Sequence, residues 1–348
     1  MKRLDYIDEA KGIGILLIVL GHISTSWGWV SDWASYFKIS IFFVISGYLQ
    51  SIIKKDINIA QKAKSLLIPY FFYSAICIVF SLILCLLKHE SLDSVFVRLI
   101  NTITFRGIST LWFLPSLFIA VLLHKLLHKA DLKVRLILIV IVSLAFIIYS
   151  EVFMIAIDKS DFFGYFVFCA ELTLLKGLVA YCFYEVSFIL LSKVLDNKHR
   201  DIVLIFAIMT FLICSCAAIL LKDTSIDFNN FKFGKYPILF WVFGLIISFD
   251  IVVLLKNTAF QSKALGWIGK NSLFIMCTHL IFFIVPIAHK VIGNILFKGE
   301  YSNRVEYVIF VSINLFIVLL IESFMIMIWN KMKQIFTKYK ATAFCKYL

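Results

Sequence analysis

Residues 66–87 read LLIPYFFYSAICIVFSLILCLL, a run of 22 residues without a charged side chain. A helix needs about 20 mostly apolar residues to cross the hydrocarbon core of a bilayer. Similar runs recur along the chain, and we expect about ten spans, at residues 10–30, 37–53, 66–87, 108–128, 134–157, 163–192, 202–221, 236–255, 268–297 and 305–330. The sequence therefore predicts an all-α protein, a polytopic transmembrane helical bundle.

The overall composition supports this class. Of the 348 residues, 62% are hydrophobic and 16% are charged, whereas soluble domains are about 45–50% apolar and about 25% charged. A transmembrane β-barrel is disfavoured because its strands alternate lipid-facing and lumen-facing residues, whereas these apolar runs are continuous. The eight cysteines show no metal-binding spacing, and we interpret them as apolar packing residues. We predict one integral-membrane domain over residues 1–348.

The positive charge is unevenly distributed along the predicted topology. With the N-terminus in the cytoplasm, 22 of the 34 lysines and arginines fall in cytoplasmic segments and 11 in outer segments. Basic residues concentrate on the cytoplasmic side of membrane proteins. We therefore expect both termini in the cytoplasm, a lipid-bilayer environment and no nucleic-acid partner, although the net charge is +13.

Two ionisable residues interrupt the first apolar run. Lys11 and His22 are eleven residues apart, so a helix places them on one face and about 16 Å apart along its axis. Neutral imidazole can take a proton from a hydroxyl at neutral pH, and Lys11 could hold an anion such as a phosphate. The alternatives are that Lys11 only snorkels to the interface and that His22 is a structural buried histidine.

Further ionisable residues occur in later spans. Glu171, Lys176 and Glu185 share the sixth span, where they form either a polar groove or structural pairs between helices. We expect Asp250 at the membrane interface, near the end of the eighth span. The pair Gly12 and Gly14 is too short for a nucleotide loop, and we predict that it permits close helix packing.

Five short segments carry a family resemblance, in order along nearly the whole chain. They are residues 8–14 (DEAKGIG) with 20–22 (LGH), 41–48 (IFFVISGY), 62–70 (KAKSLLIPY), 111–118 (LWFLPSLF) and 269–279 (GKNSLFIMCTH). Together they resemble the integral-membrane acyltransferase-3 family, and most closely its branch of sugar O-acetyltransferases related to fucose 4-O-acetylases. The chain departs from the family pattern at Lys38 and Ser40, where many members have histidine and proline.

The resemblance implies an O-acetyltransferase of the bacterial inner membrane. The expected reaction moves an acetyl group from acetyl-CoA, a co-substrate rather than a permanently bound cofactor, to a hydroxyl of a surface or envelope carbohydrate. No metal is expected. His22 would act as general base or form a transient acyl-imidazole, with Lys11 as its catalytic partner. The oligomeric state is left open.

The remaining site predictions concern binding. Lys11, Lys62 and Lys64 are expected to hold the phosphates of the acyl donor, with ordinary cytoplasmic charge as the alternative for the last two. Ser46 and Trp112 are expected in the same cavity as His22. The full set of predicted substrate-binding residues is Asp8, Lys38, Ser46, Trp112, Asn271 and His279.

Two other classes of function are compatible with the sequence. A transporter or flippase for a carbohydrate or lipid-linked intermediate could use Glu171, Lys176, Glu185 and Glu322 along a translocation path, although no inverted repeat is visible. A structural membrane subunit without chemistry would leave Lys11 and His22 unexplained.

Overall fold

The computed structural model describes residues 4–23, 28–53, 55–156, 162–223, 225–297 and 304–344. The fold is almost entirely helical. Its α-helices are α1 (Asp5–Ile23), α2 (Trp29–Ser35), α3 (Ser40–Ile53), α4 (Ile59–Lys88), α5 (Asp93–Ile103), α6 (Phe113–Leu127), α7 (Leu132–Ala156), α8 (Phe162–Leu195), α9 (Arg200–Leu221), α10 (Pro237–Asn257), α11 (Lys263–Lys270), α12 (Ser272–Thr278), α13 (Ile284–Phe297) and α14 (Arg304–Phe344).

The predicted all-α membrane bundle is confirmed. Seven helical segments among the described residues are long and apolar enough to cross a membrane. Large apolar side chains point outward from them, as on α9, where Phe206 is 69% exposed and Ile213 is 61% exposed. An apolar surface of this kind is suited to contact with lipid. The total of ten spans and the cytoplasmic location of both termini stay predictions.

The ninth predicted span, residues 268–297, is wrong as a continuous helix. The chain instead forms α11, α12 and α13, with a break at residues 279–283. Phe283 has a left-handed backbone conformation, with φ of 55°, and Pro286 lies in the first turn of α13. Proline is tolerated there because the first turn lacks intrahelical partners for its N–H groups, whereas inside a continuous helix it would remove a backbone hydrogen bond and clash with the preceding turn.

Helix α5 is a second departure from the predicted spans. It lies between the third and fourth of them and packs against α4. At 11 residues it is too short to cross a bilayer. The length of apolar runs therefore does not predict this helix.

The contact between α1 and α11 joins distant parts of the chain. A Cβ added at Gly12 would overlap the carbonyl oxygen of Leu265, and one added at Gly269 would overlap the carbonyl oxygen of Asp8. The side chain of Glu9 accepts a hydrogen bond of 2.7 Å from the backbone N–H of Ser262, at the start of α11. The two backbones thus meet directly, which confirms the predicted packing role of the glycines in α1.

Helix α8 packs closely against α3 and α6 in the same manner. Gly47 of α3 lies against the carbonyl oxygen of Tyr184, and Gly177 of α8 lies against the side chain of Ile119. The Ser187 hydroxyl also donates a hydrogen bond of 2.6 Å to the carbonyl oxygen of Val44. These contacts pack α3 and α6 each directly against α8.

A small hairpin connects α9 to α10. Its strands β1 (Ile226–Asp227) and β2 (Lys232–Phe233) are antiparallel and flank a short 3-10 turn. Phe228 at its tip is 2% exposed and stacks on Trp112, with ring centroids 5.1 Å apart and planes at 14°. The tip of the hairpin is therefore buried against the helix bundle.

The loss of stability caused by a glycine-to-alanine substitution in α11 should depend strongly on which glycine is replaced. Gly269→Ala should destabilise the protein by about 1–3 kcal/mol, because the backbones must separate to admit a methyl group. Gly266→Ala is a matched control on the same helix, since its Cβ would meet nothing closer than 4.0 Å. Thermal unfolding of the purified variants in detergent measures both, and equal midpoints would contradict the direct backbone contact.

The predicted topology can be tested with single cysteines in two connections. Asn197→Cys, between α8 and α9, should react with an impermeant maleimide only when the cytoplasmic face is accessible. Ser91→Cys, between α4 and α5, should react in intact cells. The unsubstituted protein gives the background labelling of native cysteines, and the reverse pattern would invert the predicted orientation.

Candidate functional site

A cavity of about 420 Å³, called here the His22 cavity, opens at the C-terminal end of α1. Five parts of the chain form its walls: α1, the segment from α2 to α3, residues 109–113, the hairpin and α12. His22 lies in the last turn of α1 and is exposed to this space. Hydroxyl and amide groups face it from other elements, at Ser31, Ser35, Thr110 and Asn229.

A second histidine, His279, packs against the ring of His22. The ring centroids of His22 and His279 are 5.3 Å apart. The Nδ1 of His279 lies 2.6 Å from the carbonyl oxygen of Ile275, and a carbonyl can only accept, so Nδ1 carries the proton. Nε2 is then the ring's acceptor nitrogen, and it is buried without a hydrogen-bond partner among the described residues. His279 is completely buried, so it contacts the His22 ring rather than the cavity surface.

Lys38 also lines the His22 cavity. It lies in the turn between α2 and α3 and is partly buried. Its ammonium donates a hydrogen bond of 3.3 Å to the Ser35 hydroxyl. The missing side chain of Gly21 leaves room for it, since a Cβ there would lie 3.0 Å from Nζ.

Trp112 is held in the cavity wall by a strained turn. Gly107 adopts φ of 82°, and a Cβ on it would overlap the backbone of Trp112. Only glycine adopts this conformation without penalty. The Thr110 hydroxyl then ties the segment to α12 through a hydrogen bond of 2.8 Å to the carbonyl oxygen of Met276.

Lys176 ties the hairpin to α8 behind this wall. It is completely buried, and its ammonium lies 3.4 Å from the backbone oxygens of Arg106 and Asn229. The same ammonium lies 4.9 Å from the centre of a Trp112 ring. These contacts offset the cost of burying the charge, and they make Lys176 a structural link rather than part of an open groove.

A smaller cavity of about 230 Å³, called here the Lys11 cavity, lies further toward the N-terminal end of α1. Its polar lining residues are Asp8, Lys11, Ser46, Lys270 and Ser272. Phe113 and Met276 line both cavities. The two spaces are therefore neighbours that share a wall of two apolar side chains.

The predicted site residues divide between the two cavities. Trp112 and Lys38 line the His22 cavity, but Ser46 lies in the Lys11 cavity with Asp8, so the expectation that Ser46 shares the His22 cavity is wrong. The reason is that α3 runs antiparallel to α1, and Ser46 lies about two helical turns beyond Lys38.

Three further predicted residues line neither cavity. The Asn271 side chain donates a hydrogen bond of 2.9 Å to the carbonyl oxygen of Trp267 and stabilises the junction of α11 and α12. Lys62 and Lys64 lie on the first two turns of α4 and are absent from both linings. Their predicted contact with donor phosphates stays a prediction.

Three other acidic residues of the spans have partners on neighbouring helices. Glu185 of α8 accepts hydrogen bonds from Arg135 and pairs with Nδ1 of His124 at 2.6 Å. Asp250 is 6% exposed and accepts a hydrogen bond of 2.9 Å from Thr210, and its location at the membrane interface stays a prediction. Glu322 similarly accepts a hydrogen bond from the Thr278 hydroxyl.

No three His, Cys, Asp or Glu side chains form a metal-binding group within the described ranges.

Sequence reasoning missed the polar residues that connecting segments supply. Asn229 belongs to the hairpin, where the Asp227 carboxylate accepts hydrogen bonds from the N–H groups of Asn229 and Asn230. The run of aspartate and asparagine at residues 227–230 is a turn signal that could have located this hairpin. Lys270 was visible within the last resembling segment but was not selected as a site residue.

These features define a helical membrane protein with a polar cavity at His22 and a basic cavity beside it, which share the wall of Phe113 and Met276. A family model described as an acyltransferase domain matches residues 4–323. The chain therefore belongs to the acyltransferase-3 family and is a membrane acyltransferase. Comparison with curated proteins and with solved structures returns no match.

The buried cluster around Glu185 should be essential for stability. Glu185→Gln leaves the Arg135 guanidinium without its counter-charge, and breaking a buried ion pair in this way costs about 3–5 kcal/mol. Lys125→Gln is a surface control, because its partner Asp56 is 83% exposed, and should change stability by less than about 1 kcal/mol. Thermal unfolding in detergent compares the two, and a Glu185→Gln midpoint equal to the control would contradict the role of the pair.

Proposed function

We propose that the protein is an O-acetyltransferase of the bacterial inner membrane, which moves acetyl from acetyl-CoA to a hydroxyl of a surface or envelope carbohydrate. The observation that supports this most directly is the exposure of His22 to a polar cavity that shares a wall with a basic one. In the proposed arrangement the hydroxyl acceptor would occupy the His22 cavity, and the acyl donor would reach His22 past the shared wall.

The Lys11 cavity suits the anionic end of the donor. Lys11 and Lys270 come from α1 and α11, the two helices that the glycine contact holds together. Ammonium groups bind phosphate through charge-assisted hydrogen bonds. The phosphates of CoA would remain at this entrance, and the thioester arm would extend past Phe113 and Met276 toward His22.

The His22 cavity suits a hydroxyl-rich acceptor. Its wall presents the hydroxyls of Ser31, Ser35 and Thr110 and the amide of Asn229. Such groups orient a sugar through hydrogen bonds in a pocket whose remaining lining is apolar. This arrangement favours a carbohydrate acceptor.

In the proposed reaction, His22 takes the proton of the acceptor hydroxyl as its oxygen attacks the thioester carbonyl carbon. The carbon–sulfur bond then breaks, and the imidazolium returns the proton to the departing thiolate. In the alternative route, the imidazole attacks the thioester carbonyl carbon and expels the CoA thiolate; the acceptor hydroxyl then displaces the imidazole from the acetyl group, and its proton passes to the thiolate. The contact with His279 would hold the His22 ring in place on either route.

Family membership favours this enzyme over a transporter or a structural subunit. The buried charges that would suit a translocation path have structural partners, as Glu185 has in Arg135 and Glu322 has in Thr278. They do not line either cavity described here.

His22→Ala should reduce acetyl transfer to membrane-associated glycans by about 10²–10⁴-fold, the usual contribution of a general base. The assay follows label from acetyl-CoA into ester linkage. His289→Gln is the control, since His289 bonds the Ile23 backbone and lines neither cavity. Unchanged transfer by a normally expressed His22→Ala protein would disprove the catalytic role, and label on wild-type protein incubated without acceptor would indicate the acyl-imidazole route.

Lys11→Gln and Lys270→Gln should each raise the KM for acetyl-CoA by about tenfold, because each removes a charge-assisted contact to phosphate. The kcat should change little if these lysines bind the donor remote from the reacting atoms. Lys125→Gln, outside the Lys11 cavity, should leave KM unaltered. Steady-state kinetics with varied donor measures this, and a fall in kcat at constant KM would contradict a donor-binding role.

A further inference from the structure

The His22 cavity contains a lysine ammonium that forms no ion pair within 4.0 Å among the described residues. Lys38 is the cation in the lining, and its ammonium has a neutral hydroxyl, that of Ser35, as its hydrogen-bond partner. Among the described residues, no carboxylate lies within 4.0 Å of it. A partly buried ammonium with one neutral partner is incompletely compensated.

The Asp227 carboxylate, which lines the same cavity, forms its hydrogen bonds within its own loop. The Asp227 oxygens accept hydrogen bonds from the N–H groups of Asn229 and Asn230 and from the side-chain amide of Asn230, at 2.7–3.3 Å. These contacts fold the hairpin turn. Asp227 is therefore held by its own loop more than 4.0 Å from the Lys38 ammonium, and its negative charge acts on Lys38 only from a distance. The hydrogen-bonding capacity of the ammonium stays available to a bound molecule.

The position of Lys38 is on the acceptor side of the cavity. Its ammonium lies beside Gly21, at the end of α1 that carries His22. The wall shared with the Lys11 cavity is formed instead by Phe113 and Met276. A group bound to Lys38 would thus belong to the molecule that enters from the side opposite the acyl donor.

We propose that the acceptor is an anionic carbohydrate, and that Lys38 binds its negatively charged group while His22 faces the hydroxyl to be modified. A carboxylate on a uronic-acid-type sugar and a phosphate on a phosphorylated sugar share the required chemistry. Both would complete the ammonium's hydrogen bonds and neutralise its charge. This inference rests on the proposed O-acetyltransferase function, whose acceptor class it narrows.

The test measures binding in the absence of acyl donor, so that it does not depend on turnover. The protein is placed in lipid nanodiscs, and saturation-transfer NMR titrations use three probes: methyl glucoside, methyl glucuronide and glucose 6-phosphate. The glucuronide, the phosphate or both should bind at least about tenfold more tightly than the neutral glucoside, as expected for one charge-assisted contact. Which anionic probe shows the preference identifies the source of the charge.

Substitutions of Lys38 test whether this residue causes the preference for the anionic probes. Lys38→Gln should abolish it, and Lys38→Arg should retain it, because arginine keeps the charge. Lys290→Gln, an exposed lysine outside the cavity, should behave as wild type. Equal binding of all three probes, no detectable binding of either anionic probe, or a preference that survives in Lys38→Gln would overturn the proposal.

Transfer assays separate this inference from the function on which it rests. Absence of label transfer to any glycan by the wild-type protein would refute the acetyltransferase itself. Transfer that proceeds to neutral acceptors and is slowed equally for neutral and anionic ones by Lys38→Gln would instead show that Lys38 acts on the acyl group. That result would refute the anionic acceptor and leave the acetyltransferase intact.

Discussion

The direct backbone contact between α1 and α11 is the interaction on which the rest of the site depends. Gly12 and Gly269 allow the two helices to meet without intervening side chains, and the hydrogen bond from Ser262 to Glu9 sets their axial register. Since α11 is followed directly by α12, this register also determines which residues after α11 lie beside the C-terminal part of α1. Lys270 comes near Lys11, and His279 comes near His22.

The membrane imposes a second constraint, because a polar group in its interior is stable only with a partner. Most buried charges of this bundle satisfy it through neighbouring elements, as Glu185 does with Arg135 and Lys176 does with backbone oxygens. Lys38 and His22 differ because they face a cavity. The distinction between paired charges and cavity-lining ones is what separates structural residues from candidates for chemistry.

The two cavities are built from different parts of the chain. Helices supply the polar lining of the Lys11 cavity, through α1, α3, α11 and α12. The His22 cavity takes much of its polar lining from connections, including the hairpin and the segment around Thr110. A binding surface made by connections can change its residues without disturbing the helix packing. Such a division allows the lining of the His22 cavity to vary while the lining of the Lys11 cavity is kept.

The sequence by itself determined the helical membrane class, the close packing of α1 and the choice of Lys11 and His22 as unusual residues. These follow from local properties, namely the length of apolar runs, the helical repeat and the presence of glycine. It did not reveal the break at residues 279–283, the separation of Ser46 from His22, or the roles of Asn229 and Lys270. The break accompanies the left-handed Phe283 and Pro286 in the first turn of α13, whereas the other two depend on which helix lies beside which, and in what direction it runs. Tertiary structure alone decided them, because the contacts that form the cavities join residues far apart in the chain.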